Sequence, residues 1–157
     1  MPHDFHEKLV EGERWEFALD NFFSKWYTIQ PVDRQGQRAG VDRLWTRPDG
    51  SVLRVEYKAD SVCWRTGNVF LEVVSVDTTG KTGWVWSSQA DILVYLMPQV
   101  GKVFLVEMAA LRGAMDEWSW KYPTKTADNG TYRTHGVCVP ISEFWGIATK
   151  VMCVEAA

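Results

Sequence analysis

The chain has 157 residues, 46% of them hydrophobic and 24% charged. That suits one domain burying roughly 70% of its unfolded surface, with no composition that favours disorder. Seventeen basic against 20 acidic residues leave a net charge of −3, which excludes a protein that coats nucleic acid by bulk positive charge. No apolar run approaches the ~20 residues of a membrane span, and the first residues lack the basic-then-apolar order of a signal peptide. Cys63, Cys138 and Cys153 share no metal-site spacing, which points to reduced thiols in a cytoplasmic protein without a membrane anchor.

In chain order, Trp15, Ala18, Leu19, Phe22 and Phe23 fall at helical spacing and predict a helix over Glu11–Lys25. Tyr27–Val32 reads as a short strand, followed by the polar, basic stretch Asp33–Arg38. Val41–Arg47 and Ser51–Lys58 are strand-like runs on either side of Pro48-Asp49-Gly50, a hairpin signature. Further strands are expected over Asn68–Val76, Asp91–Met97 and Lys102–Glu107, with a loop or single helical turn over Lys81–Gln89 and a turn over Pro98–Gly101. Met108–Trp118 reads as a helix, Lys121–His135 as polar and irregular, Val137–Ile141 as a strand and Ser142–Met152 as a closing helix. No repeat or linker interrupts the run, so the expectation is a single α/β domain over residues 1–157, with a mixed central sheet flanked by helices.

The turn fixes the register of the hairpin. Pro48 presets the first turn position, Asp49 takes the second and Gly50 supplies a left-handed residue. Arg47 then faces Ser51, and Asp42 faces Glu56. Opposed side chains in an antiparallel pair have Cβ atoms about 4.5–5.5 Å apart. Alternation puts Glu56 and Lys58 on one face of their strand, with Leu53, Val55 and Tyr57 on the other. Two carboxylates and an ammonium therefore converge on one patch.

That patch suits phosphodiester hydrolysis. Mg²⁺ takes hard oxygen ligands and keeps several waters, so Asp42, Glu56 and a peptide carbonyl between them, that of Tyr57, suffice beside a substrate phosphate. Such an ion polarises the phosphoryl oxygen and acidifies a bound water, while Lys58 positions that water or offsets developing charge. The competing reading is an exposed ladder of opposite charges, worth about 0.2–1 kcal/mol per pair. Against it stand two facing acids that would repel one another, and the fact that Glu56-Tyr57-Lys58 is the only Glu-x-Lys in the chain.

A helix, then Gly40-Val41-Asp42, a hairpin and Val55-Glu56-Tyr57-Lys58 together resemble the core of the PD-(D/E)XK nuclease superfamily, over roughly Glu11–Tyr95, with Val41 where the family name has Pro. The resemblance implies a restriction-endonuclease-like fold and a DNA endonuclease using Mg²⁺ or Mn²⁺, with branched or junction DNA among the candidate substrates. It also implies a homodimer. Resolvase-like members carry Gly-x-x-x-Glu on the first helix, matched by Gly12-Glu13-Arg14-Trp15-Glu16. Glu16 thus joins Asp42, Glu56 and Lys58 as a catalytic candidate, an outer metal or water ligand, with Glu13 as the fallback. Gly67–Glu72, Gly83-Trp84 and Ala90–Tyr95 are similar in layout to phage-type nuclease-like proteins. Arg34, Arg38 and Lys81 are candidate phosphate contacts, and Trp84 a candidate for stacking on an unpaired base. A catalytically inactive nucleic-acid- or protein-binding module on the same fold is the alternative, and an RNA-cleaving enzyme with the same site a third.

Overall fold

Period-2 apolar runs and turn residues account for most of the observed elements. A computed structural model describes residues 5–154. In order they form α1 (Phe5–Phe23), β1 (Thr28–Pro31), α2 (Arg34–Arg38), β2 (Arg43–Thr46), β3 (Val52–Ala59) and α3 (Cys63–Thr66). There follow β4 (Asn68–Val76), β5 (Lys81–Thr82), α4 (Trp84–Ser87), β6 (Ile92–Met97) and, after a single 3-10 turn, β7 (Lys102–Glu107). The chain continues through α5 (Met108–Lys121), β8 (Thr124–Asp128), β9 (Arg133–Pro140), α6 (Ile141–Ile147) and β10 (Lys150–Cys153).

A six-stranded mixed sheet runs in the order β1-β2-β3-β6-β7-β10. The pair β3–β6 is parallel and the other neighbours are antiparallel. Continuous apolar strands of this kind bury both faces, and β6 displays it by alternation. Leu93, Tyr95 and Met97 enter one core, while Val94, Leu96 and the flanking Ile92 enter the other. Under the second face lies α1, whose Leu19 and Phe23 meet Trp45, Val55 and Tyr57. Each such buried apolar side chain contributes about 1.5–3 kcal/mol.

The first face is covered by helices and by something the sequence reading did not anticipate, a second, four-stranded sheet in the order β5-β4-β9-β8. Val69 and Leu71 of β4 and Val137 and Val139 of β9 pack toward β6 and β7, beside Leu111 and Met115 of α5 and Phe144 of α6. Two of its four strands, β4 and β5, fall inside the crossover from β3 to its parallel neighbour β6.

Two expectations are corrected here. Lys121–His135 is not irregular, because β8 and the start of β9 pair there from Asp128↔Arg133 to Thr124↔Val137. All of β8 is exposed, so this edge strand carries no apolar alternation to read. The closing helix stops at Ile147. Ala148 turns extended, the Thr149 amide donates to the Leu105 carbonyl at 2.8 Å, and β10 joins the open edge of β7. α5 runs on to Lys121, and Tyr122 is extended, as a residue before proline must be. Among the described residues no helix is long and apolar enough to cross a membrane.

Candidate functional site

The hairpin forms as its turn demands. The Arg47 amide donates to the Ser51 carbonyl at 2.8 Å and the Gly50 amide to the Arg47 carbonyl at 2.9 Å. Gly50 is left-handed at φ 88°, and Asp49 Oδ1 accepts from the Ser51 amide at 2.8 Å. The register is the expected one, Thr46↔Val52 through Arg43↔Val55.

At Asp42 the ladder stops. The Asp42 amide donates to the Val55 carbonyl at 2.8 Å, and its carboxylate accepts from the Tyr57 amide at 2.7 Å. A side chain thus replaces the backbone acceptor that a longer β2 would have offered. Within a strand the N–H and C=O of one residue point to the same side, so the Tyr57 carbonyl also faces this gap. Val41, whose amide would have met it in a continued ladder, donates instead to Gly36 at 3.0 Å. The ladder ends here because Gly40 turns left-handed at φ 77°, close enough to Ser88 that a Cβ would stand 2.9 Å from its Cα. The Ala39–Gly40 turn is tied to that neighbour, with Ser88 Oγ donating to the Gly40 carbonyl at 2.8 Å.

Glu56 is not on an exposed face. It is 4% exposed, on the side of β3 that faces the second sheet, beside Leu93 of β6. Its Oε1 pairs with Lys58 Nζ at 3.1 Å, whereas its buried Oε2 has no hydrogen-bond partner. Ser88 lies near enough to favour the ionised form, yet its hydroxyl hydrogen is committed to Gly40. Burial pushes the Glu56 pKa up, Lys58 opposes this, and the charge of Asp42 adds to the rise. A buried carboxylate with one oxygen unpaired is costly to hold in its ionised form. The exposed-ladder reading therefore fails for Glu56. Lys58 sits across the face of Trp84, its Nζ 5.6 Å from the ring centroid. Trp84 is delivered there by Gly83, whose amide donates to the Val73 carbonyl at 2.9 Å and where any Cβ would collide with the Glu72 carbonyl.

Glu16 belongs to a different cluster, on the α1 side of the sheet. Arg43 Nη2 meets Glu16 Oε2 at 3.2 Å, and its Nε meets both oxygens of Asp20 at 3.0 and 3.1 Å. Its Nη1 donates to the Asp42 carbonyl at 2.8 Å. The Tyr57 hydroxyl donates to Asp20 at 2.9 Å and accepts from Trp45 Nε1 at 3.2 Å. Burial raises the Glu16 pKa, Arg43 opposes it, and Asp42 and then Asp20 raise it further. Asp42 thus lies within electrostatic reach of both clusters. Glu13 is exposed.

Among the described residues no group of three or more His, Cys, Asp or Glu side chains is placed to hold a metal ion. Asp42 and Glu56 form a pair rather than a cluster: Asp42 accepts from the Tyr57 amide, and its charge reaches Glu56.

No protein-family model, curated protein or solved structure matches this chain.

Of the candidate substrate contacts, Trp84 stands beside Lys58. Arg34 and Arg38 are exposed on α2, the element that runs into the Gly40 turn, and Lys81 is exposed on β5 at the edge of the second sheet. Other arginines near the hairpin are tied down. Arg43 serves Asp20 and Glu16, and Arg54 Nη2 pairs with Asp91 at 3.1 Å. Sequence reasoning missed Ser88, for which there was no signal. It also missed Asp20, one helical turn beyond Glu16 and so readable as its partner on one face.

Proposed function

We propose that this chain is a metal-dependent nuclease of the restriction-endonuclease-like kind, hydrolysing DNA phosphodiesters at Asp42, Glu56 and Lys58. One observation carries the reading, the buried Glu56 with Oε2 unpartnered. An orphaned carboxylate oxygen in a core is a standing cost unless something meets it, and a hard divalent cation fits the donors at hand. Asp42, Glu56 and the Tyr57 carbonyl would hold Mg²⁺ or Mn²⁺, whose coordination shell accepts one or two carboxylates and leaves room for water and phosphate. When bound, such an ion polarises a phosphoryl oxygen and acidifies a coordinated water.

The chain's own groups do the rest. Lys58 spends one of its three donors on Glu56 Oε1, leaving two for the phosphoryl oxygens or the attacking water. Trp84 beneath it limits where the ammonium can swing. Arg43 holds the Asp42 carbonyl, which fixes the backbone from which that carboxylate projects. Glu16 is at most an outer partner, since Arg43 already engages it. Cutting both strands of a duplex would take two such sites, and a homodimer belongs to this reading.

Plasmid, linear, single-stranded and four-way-junction DNA should be incubated with the protein in Mg²⁺, Mn²⁺ and EDTA, alongside Lys58→Ala. Cleavage that requires the metal and vanishes in Lys58→Ala is the expected result; the variant should melt lower, because Glu56 loses its cation, so it is assayed at a temperature where circular dichroism shows it folded. Metal-independent cutting, or wild-type rates in the variant, would remove this site from the chemistry. DNA binding with no cutting in any metal would leave a binding module.

A further inference from the structure

Lys58 borders a second feature that the hydrolytic site does not use. Between the end of β3 and the four-stranded sheet lies a cleft of about 510 Å³, within the roughly 300–1,000 Å³ of small-ligand pockets. Its walls are largely apolar and aromatic: Trp84 near Lys58, Tyr95 of β6, and Phe70 with its cross-strand neighbour Cys138. Phe70 lies against Gly136, where any Cβ would overlap its ring, so the backbone itself seats that aromatic surface.

Apart from one acid, the charged side chains lining the cleft are ammonium groups. Asp60 is the only acid lining it, and its carboxylate is spent on the scaffold. Oδ1 accepts from the amides of Val62 and Cys63 at 2.8 and 2.9 Å, and Oδ2 from the Tyr95 hydroxyl. Burial, with Asp60 adding, pushes the Cys63 thiol up to about 12, so the thiol stays neutral. That leaves two ammonium groups, Lys58 and, on the exposed edge strand β8, Lys125, which makes no salt bridge among the described residues.

A cleft lined by aromatic rings and bordered by two ammonium groups suits a flat body that carries anionic groups. We infer that the cleft receives one unpaired nucleobase of the substrate strand, with the strand's phosphates at Lys58 and Lys125. This deepens the nuclease reading and rests on it, since that reading puts a phosphodiester beside Lys58. A base in an intact duplex is stacked and paired, and entering the cleft would require unstacking it. The preferred substrate is therefore single-stranded, frayed or branched next to the scissile bond.

The test uses a labelled single-stranded oligonucleotide and the same strand with one abasic position moved along it. Binding is followed by anisotropy in Ca²⁺ and in EDTA, and cutting in Mg²⁺. One abasic position should weaken binding by roughly tenfold, the loss of one base–aromatic stack. Ala127→Trp, which fills the cleft from the exposed edge strand, should bind intact and abasic strands equally. Lys125→Glu provides a second route that leaves the apolar walls intact, and it should weaken the intact strand. Equal affinity for intact and abasic strands at every position overturns the cleft, even where metal-dependent cutting persists. Base-dependent binding without cutting in any metal leaves the cleft standing and removes the reaction instead.

Discussion

Two clusters built from the same ingredients sit on opposite faces of β3, and they differ in completeness. On the α1 side, Glu16 and Asp20 share Arg43, and the Tyr57 hydroxyl donates to Asp20. The cation reaches both acids and has a donor left for the Asp42 carbonyl. On the other side, Lys58 pairs with Glu56 alone, Asp42 takes the Tyr57 amide, and Glu56 Oε2 is left with nothing. A saturated cluster stabilises and orients its neighbours. An unsaturated one, in a core that otherwise satisfies its polar groups, is poised for something it does not itself supply. Acidic residues near a lysine are common, so completeness of partnering separates a structural cluster from a candidate site better than composition does.

The largest expected effect sharpens this contrast directly. Glu56→Gln should lower metal-dependent cleavage on the order of 100-fold or more, as loss of a metal ligand does. It should also raise the melting temperature of the metal-free protein, because a buried, half-partnered charge is removed. Glu16→Gln should cost less than about tenfold, in line with a group one step removed from the ion. Single-turnover rates and calorimetric Mg²⁺ titration of both variants would check this. If the two were equally inactive, the saturated cluster would be part of the reaction and the contrast would collapse.

A smaller effect probes the saturated side. Arg43→Ala leaves Asp20 and Glu16 facing one another without their cation and should destabilise the fold by about 1–3 kcal/mol, measured by denaturant unfolding. Cleavage should fall with it, since the Asp42 carbonyl loses its anchor, and Arg43→Lys should restore stability only in part because one ammonium cannot span both acids. Unchanged stability in Arg43→Ala would mean the cluster is no more than solvated charge.

The smallest effect concerns the other end of β3, where Arg54 and Asp91 bridge to β6. Hydrogen bonds from the Arg54 side chain, more than the opposing burial, hold the Asp91 carboxyl below its usual range. With the folded pKa below the unfolded one, the stabilisation is present above the ordinary carboxylate range and is lost as pH falls through the lowered value. Both side chains are more than a third exposed, so salt screens the pair and the gain is slight. Melting curves of wild type and Asp91→Asn should differ a little at neutral pH and converge on acidification.

The sequence by itself determined what short-range chemistry controls. Pro48-Asp49-Gly50 set the turn, the turn set the register, and the register put Asp42 at the level of Glu56. Strand periods over Asn68–Val76 and Lys102–Glu107 were likewise legible, because each residue's face follows from its neighbours. Tertiary structure decided the rest. Polar β8 is a strand only because β9 offers it a ladder, and Lys150–Cys153 is a strand only because β7 has an open edge. Nothing local to Glu56 says that a second sheet will bury it, nor that Ser88, far along the chain, will give its hydrogen to Gly40 and leave Oε2 without one. Burial and hydrogen-bond satisfaction depend on which distant segments arrive, and here they distinguish a surface charge ladder from a site.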